Sequence, residues 1–245
     1  MTATTPADSE PAWGVWATLG EPGLLDPLAR ASFDWLCLDA QHGRFDDRAL
    51  REGLDVSTAA GATAWVRVRS NDAGLIGRAL DSGARGVIVP LVDTPADAAD
   101  AVRSAFYPPR GSRSFGPYLG TGAQPTPTEA NDSTGVAVMI ETAAGLAAAS
   151  TIAATPGIEG VFVGPVDLAL SLGTTVDDLL ADESPDSALR RIARAAVEAG
   201  VTPGAFAGSP GTAHAFAALG YRFIAATTDS AVLAAGAAGL RAQLT

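Results

Sequence analysis

The sequence predicts one (β/α)8 barrel, and three observations carry that prediction. Eight short apolar runs alternate with eight helix-compatible stretches over 245 residues, more strands than an open doubly wound sheet usually needs. Most of the runs lack strict polar–apolar alternation, as parallel strands do when both faces of their sheet are covered. No glycine-rich phosphate turn accompanies them, and no sharp change of composition separates two domains.

The elements follow in order. Residues 1–12 read as a loose tail ahead of a barrel spanning 13–245. Strands are expected at 13–19 (WGVWATL), 35–39 (WLCLD), 64–68 (AWVRV), 86–90 (GVIVP), 136–141 (VAVMIE), 160–164 (GVFVG), 203–207 (PGAFA) and 223–227 (FIAAT). Each is too short for a buried helix and rich in β-branched or aromatic residues, with glycine or proline often near an end. Helices are expected at 21–31, 46–60, 72–83, 94–105, 142–154, 187–200, 209–220 and 229–244. Ser, Thr or Asp opens several of these and Gly closes several, as caps should. Residues 107–135 (YPPRGSRSFGPYLGTGAQPTPTEANDSTG) carry too much proline and glycine for continuous helix or strand. Such a long excursion in a barrel suggests a functional loop, at the mouth or at a subunit interface.

Composition narrows the partners. A net charge of −11 leaves no basic face for nucleic acid or for an anionic membrane surface. The single cysteine, Cys37, lies in an apolar run and reads as a small core residue, with no internal disulfide available. No apolar run approaches the length of a membrane span, and the opening residues do not resemble a secretion signal. These features lead to the expectation of a soluble cytoplasmic protein.

In a barrel, chemistry belongs at the carboxyl ends of the strands, where the loops open a shared mouth. That filter selects Asp39 and His42 after the second strand, Arg67 at the third, Glu141 at the fifth and Asp167 just past the sixth. Two neighbouring carboxylates, Glu141 and Asp167, suit a divalent cation with oxygen ligands and positions left for a chelating substrate. Arg67 suits a carboxylate or a developing oxyanion, and His42 suits proton transfer near neutrality. Simpler readings stand beside these: Glu141 and Asp167 also fit helix N-caps, Arg67 a surface ion pair, and His42 an ordinary loop histidine. His214 reads as a helix-surface residue.

The stretches FDWLCLDAQHG, WVRVRSND, RALDSGARGVIVPLVDT, FYPPRGSRSFGP, VMIET and GIEGVFVGPVDLALSLG, in this order, resemble the HpcH/HpaI aldolases, class II pyruvate aldolases of the 4-hydroxy-2-oxoheptanedioate and 2-keto-3-deoxy sugar acid type. The resemblance runs from Trp13 to the C-terminal helix. It implies a (β/α)8 barrel with its last helix exchanged between subunits of a trimer or hexamer, and reversible cleavage of a keto acid to pyruvate, or hydroxypyruvate, and an aldehyde. It also implies Glu141 and Asp167 as ligands of Mg2+, Mn2+ or Co2+, His42 as base and Arg67 as the residue steadying the keto acid and its enolate. Asp81 would be the partner of His42. Backbone amides around Gly164, Pro165, Val166 and Asp167 would hold the pyruvate carboxylate, and Asp39 and Gln41 would contact substrate. Where some members read Gly-Glu-His, this chain has Ala40, Gln41 and His42, and Met139 stands where some carry glutamine. These differences bear on the aldehyde rather than on the metal.

One fact is independent of the resemblance. All 16 Lys+Arg residues are arginine, so imine chemistry on a lysine is impossible. Two other readings keep the same barrel: a citramalyl- or malyl-CoA type lyase, and a non-catalytic keto-acid or metal binder.

Overall fold

The computed structural model describes residues 10–116 and 125–244. Eight parallel strands, β1 (Ala12–Ala17), β2 (Trp35–Asp39), β3 (Ala64–Arg67), β4 (Gly86–Val89), β5 (Gly135–Ile140), β6 (Gly160–Val163), β7 (Thr202–Phe206) and β8 (Phe223–Thr228), pair in sequence order and close into a barrel. Around them run α1 (Pro22–Ala29), α2 (Asp47–Ala59), α3 (Ala73–Asp81), α4 (Pro95–Ala105), α5 (Pro127–Ser133), α6 (Ala143–Ala147), α7 (Ala149–Ala153), α8 (Pro165–Leu172), α9 (Val176–Ala181), α10 (Ala188–Glu198), α11 (Pro210–Ala218) and α12 (Asp229–Ala242). All eight expected strands are present. The helix expected at 142–154 is two short ones meeting at Ala148, and α5, α8 and α9 were not among the expected stretches.

The strands look uniformly apolar because their two faces bury different things. Successive side chains point to opposite faces. Outward positions such as Leu36, Leu38, Val66, Val138 and Val163 join the aliphatic layer under the helices. Inward positions, Trp16, Trp35, Cys37, Trp65, Met139 and Phe162, form a separate aromatic-rich filling. The filling interdigitates large with absent side chains: a Cβ on Gly14 would stand 2.2 Å from the Trp35 ring, and one on Gly204 2.5 Å from Phe162.

Asp229 fastens the closure between β1 and β8. It is buried, and its carboxylate accepts the Thr18 and Leu19 N–H groups at 3.0 and 2.9 Å and the Thr18 hydroxyl at 3.1 Å. Past this point α12 leaves the barrel surface. Every residue from Ser230 to Leu244 is exposed on the single chain, including Val232, Leu233 and Leu240. No helix among the described residues is long and apolar enough to cross a membrane.

The described parts of the 107–135 stretch, 107–116 and 125–135, follow α4 and lead into β5, so they lie at the amino-terminal end of the strands, opposite the mouth. These parts are structured: Tyr107 and Arg113 are buried, and α5 occupies a region expected to be loop. The central residues of the stretch fall outside the described residues.

Candidate active site

The inward parity of the strands extends past their ends and delivers the site. Asp39 follows Trp35 and Cys37 on β2, Arg67 follows Trp65 on β3, and Glu141 follows Ala137 and Met139 on β5, so all three face the barrel axis at its carboxyl rim. Asp39 and Arg67 are also direct register partners on adjacent strands. Arg67 donates from Nε to Oδ1 at 2.9 Å and from Nη2 to Oδ2 at 2.5 Å, a bidentate pair with Asp39 only 1% exposed. Trp16 Nε1–H adds a bond to Oδ2 at 3.3 Å, and the Trp16 ring underlies the guanidinium. Burial alone would raise the Asp39 carboxyl, but Arg67, the His42 N–H and Trp16 hold it below the ordinary carboxylate range.

Within the chain Asp39 is thus engaged by both oxygens, where a contact with substrate was expected. Its Oδ1 also accepts the Gln41 and His42 N–H groups at 3.0 and 3.2 Å, which folds the loop after β2 and leaves His42 exposed at the rim. Gln41 is half-buried, and its Oε1 is buried with no partner among the described residues. Arg67 keeps Nη1 free of hydrogen bonds among the described residues, so one arm of its fork remains for a ligand.

Glu141 is 2% exposed. Thr142, and not Glu141, caps α6, since the Thr142 hydroxyl accepts the Gly145 N–H at 2.9 Å. The turn after β4 grips this acid: Leu91 N–H donates to Glu141 Oε1 at 2.7 Å, Val92 N–H to the Met139 carbonyl at 3.2 Å, and the Thr142 hydroxyl to Asp93. Leu91 adopts φ +55 to make its bond, a conformation rare for leucine. Burial raises the Glu141 carboxyl, and the charges of Asp167 and Asp93 raise it further, against the lowering effect of Leu91 N–H and Arg67. Neither Leu91 nor Asp93 was anticipated; PLVDT is visible in the sequence, but a leucine gives no sign of a left-handed conformation.

Asp167 lies in the first turn of α8 and is exposed, with no hydrogen bond or ion pair among the described residues, so it is not a cap. The cap position is Gly164, which has no side chain to satisfy the N–H groups of the first turn. Pro165 has no N–H and cannot donate to a carboxylate, contrary to expectation, whereas Val166 and Asp167 can. The glycine is required by proximity: a Cβ on Gly164 would stand 2.5 Å from Glu141 Oε2.

Asp81 is not part of this group within one chain. It ends α3, ahead of β4 and thus at the opposite end of the barrel, and its carboxylate pairs with Arg113 at 2.5 Å. Cys37 is fully buried, which pushes its thiol well up and makes it inert, as expected. His214 packs edge-on against Trp13, away from the mouth. A cavity of about 200 Å3 between Trp35, Trp65 and Phe223 also lies at the amino-terminal end, where Glu159 is paired with Arg85 at 3.1 Å.

The donor set fits a hard divalent cation. Glu141 Oε2 is held against Gly164 without a hydrogen-bond partner among the described residues, and the neighbouring negative charge of Asp167 raises the cost of leaving the pair uncompensated. Among the described residues no three or more His, Cys, Asp or Glu side chains are placed to hold a metal ion together. The protein thus offers a pair of carboxylates, with the remaining positions open.

The sequence profile of the HpcH/HpaI aldolase/citrate lyase family matches residues 12–235. The hydroxypyruvate/pyruvate aldolase of Deinococcus radiodurans is 35% identical over 244 residues, 97% of this chain and 87% of its own length. The 4-hydroxy-2-oxovalerate aldolase of Rhodococcus jostii is 37% identical over 241 residues, 94% of this chain and 90% of its own. An HpcH/HpaI aldolase/citrate lyase family structure from Burkholderia cenocepacia superposes with a TM-score of 0.85 at 34% identity, covering 98% of this chain and 97% of that one. With the barrel, the carboxylate pair and the profile in agreement over nearly the whole length, the chain belongs to the HpcH/HpaI aldolase/citrate lyase family and is a carbon–carbon lyase.

Proposed function

We propose that the protein is a divalent-metal-dependent class II aldolase that cleaves a 4-hydroxy-2-oxo acid reversibly to pyruvate, or hydroxypyruvate, and an aldehyde. The observation that carries this reading is Glu141: a buried acid with one oxygen held by Leu91 N–H and the other left unpartnered beside Asp167 and an uncapped helix start. Bound between Glu141 and Asp167, Mg2+, Mn2+ or Co2+ would supply Lewis acidity to the oxygens of the keto acid.

The chain's own groups cover the remaining steps. The free N–H groups of Val166 and Asp167, at the positive end of α8, suit the substrate carboxylate. Arg67 Nη1 suits the oxygen on which enolate charge develops, and Asp39 holds it in place at no change of its own charge. His42, exposed at the rim, removes the proton from the C4 hydroxyl. The C3–C4 bond then breaks, its electron pair passes into the enolate, and C3 takes up a proton to give pyruvate. Glyoxylate-like, sugar-derived and simple aldehydes all satisfy this scheme, and the same site accepts hydroxypyruvate as donor. A homo-oligomer, trimer or hexamer, accompanies the proposal, because α12 exposes Val232, Leu233 and Leu240, the turn after it exposes Leu244, and α8 exposes Leu170.

The test is chelator treatment followed by single re-addition of Mg2+, Mn2+ or Co2+, with pyruvate release from a racemic 4-hydroxy-2-oxo acid as the signal and Glu141→Ala alongside. Restored turnover that the variant lacks supports the reading. Equal rates with and without metal would sink it, and cleavage of a CoA thioester alone would move the assignment to the acyl-CoA lyases. Light scattering reports the assembly.

A further inference from the structure

Among the described residues only Ser32 and Leu91 combine a side chain with positive φ. At Leu91 the reason for the conformation is plain: it aims consecutive N–H groups of the turn after β4 at Glu141 Oε1 and at the Met139 carbonyl. The grip demands the conformation, but it does not demand a leucine. Glycine adopts φ +55 freely and keeps the same N–H, whereas leucine crowds its own Cβ against the following carbonyl. Nor does the side chain repay this by packing, since it is 57% exposed and belongs to neither hydrophobic cluster.

Standard bond lengths put the Leu91 Cβ within roughly 5 Å of Glu141 Oε1, because its own nitrogen is 2.7 Å from that oxygen. An exposed isobutyl group thus stands on the rim beside the acid. Strained residues that packing does not explain cluster at functional sites. We propose that Leu91 is a specificity-determining residue whose side chain contacts the carbon substituent of the aldehyde and favours apolar aldehydes. This rests on the aldolase reading.

The experiment measures aldol addition of pyruvate to acetaldehyde, propanal and butanal by wild type, Leu91→Gly, Leu91→Asn and Leu91→Met, each loaded with Mn2+. For wild type, kcat/KM is expected to rise about two- to fourfold per added methylene, the increment of partial to full burial of one CH2 group. Leu91→Gly and Leu91→Asn, both at ease in the left-handed region, lose that slope, and Leu91→Met keeps it. Mn2+ affinity of Leu91→Gly, read by titration calorimetry, stays at the wild-type value because the N–H is retained, and its Tm does not fall. Equal slopes in wild type and Leu91→Gly, or a Tm lowered by several degrees or an altered assembly in that variant, overturn this inference while the aldolase reading stands. Wild type without turnover on any of the aldehydes, with either donor keto acid, overturns both.

Discussion

Arg67 closes on Asp39 through two parallel N–H···O bonds while its Cζ lies 5.0 Å from the centroid of the Trp16 ring, so a buried ion pair forms the base on which the exposed groups of the mouth rest. Lysine has one compact charge and no fork, and it cannot hold Asp39 and still offer a donor upward. Arg67→Lys is expected to lower kcat/KM by about 100-fold or more, measured in steady-state pyruvate release. A variant recovering to within a factor of a few would show that charge alone suffices.

Removing the acid strands the arginine in a buried position. Asp39→Ala is expected to cost about 3–5 kcal/mol of stability, the usual penalty for breaking a buried pair, read by urea unfolding. The sign with pH follows from the direction of the shift: the folded-state carboxyl lies below its unfolded value. Its contribution is full above the unfolded pKa of about 4 and is lost as pH falls through the folded value. The difference between wild type and Asp39→Asn in Tm should therefore narrow in acid.

Glu141 behaves in the opposite sense. Its carboxyl is raised in the folded protein, first by burial, so the folded state binds its proton more tightly than the unfolded chain. Metal-free protein is then most favoured, as far as this group is concerned, below the unfolded pKa, and it loses that stability as pH rises through the folded value. A bound cation prefers the ionised form and reverses the trend. Tm against pH with and without Mn2+ checks both signs, and parallel curves would contradict them.

Gly164→Ala tests the contact between α8 and the acid. The added methyl carbon would fall 2.5 Å from Glu141 Oε2 and 3.1 Å from Met139 Cε, so the carboxylate must turn away. Mn2+ affinity is expected to drop by about tenfold or more with the circular dichroism spectrum unchanged. Calorimetric titration measures it.

Asp229→Ala addresses the barrel seam. Three backbone N–H groups, of Thr18, Leu19 and Ser230, and the Thr18 hydroxyl lose their acceptor, at a cost of about 2–4 kcal/mol. Hydrogen exchange should accelerate specifically at Thr18 and Leu19. Protection at those amides as strong as in wild type would show that the seam closes without the carboxylate.

Much of this was legible in the sequence because period-2 geometry is strict. The same alternation that buries Trp35 and Cys37 inward carries Asp39 inward, and the reading of His42, Arg67, Glu141 and Asp167 as a rim group needed only the strand ends. The resemblance names Asp81 as a residue type and does not say at which end of the barrel α3 places it within one chain. The burial of Asp39 beneath Arg67 was not legible, because it depends on cross-strand register, which a single strand does not encode. Leu91 was invisible for a different reason: its left-handed conformation is imposed by tertiary hydrogen bonds against the preference of the residue itself.

The Asp229 clasp joins positions 211 residues apart in the chain. On a ribosome, β1 emerges first of the eight strands and β8 last, so the first strand must wait with one edge unpaired until the eighth is made. A nascent chain halted before Phe223 would expose that edge along with the Trp16 and Trp35 face, and it should be held by chaperones until β8 is released.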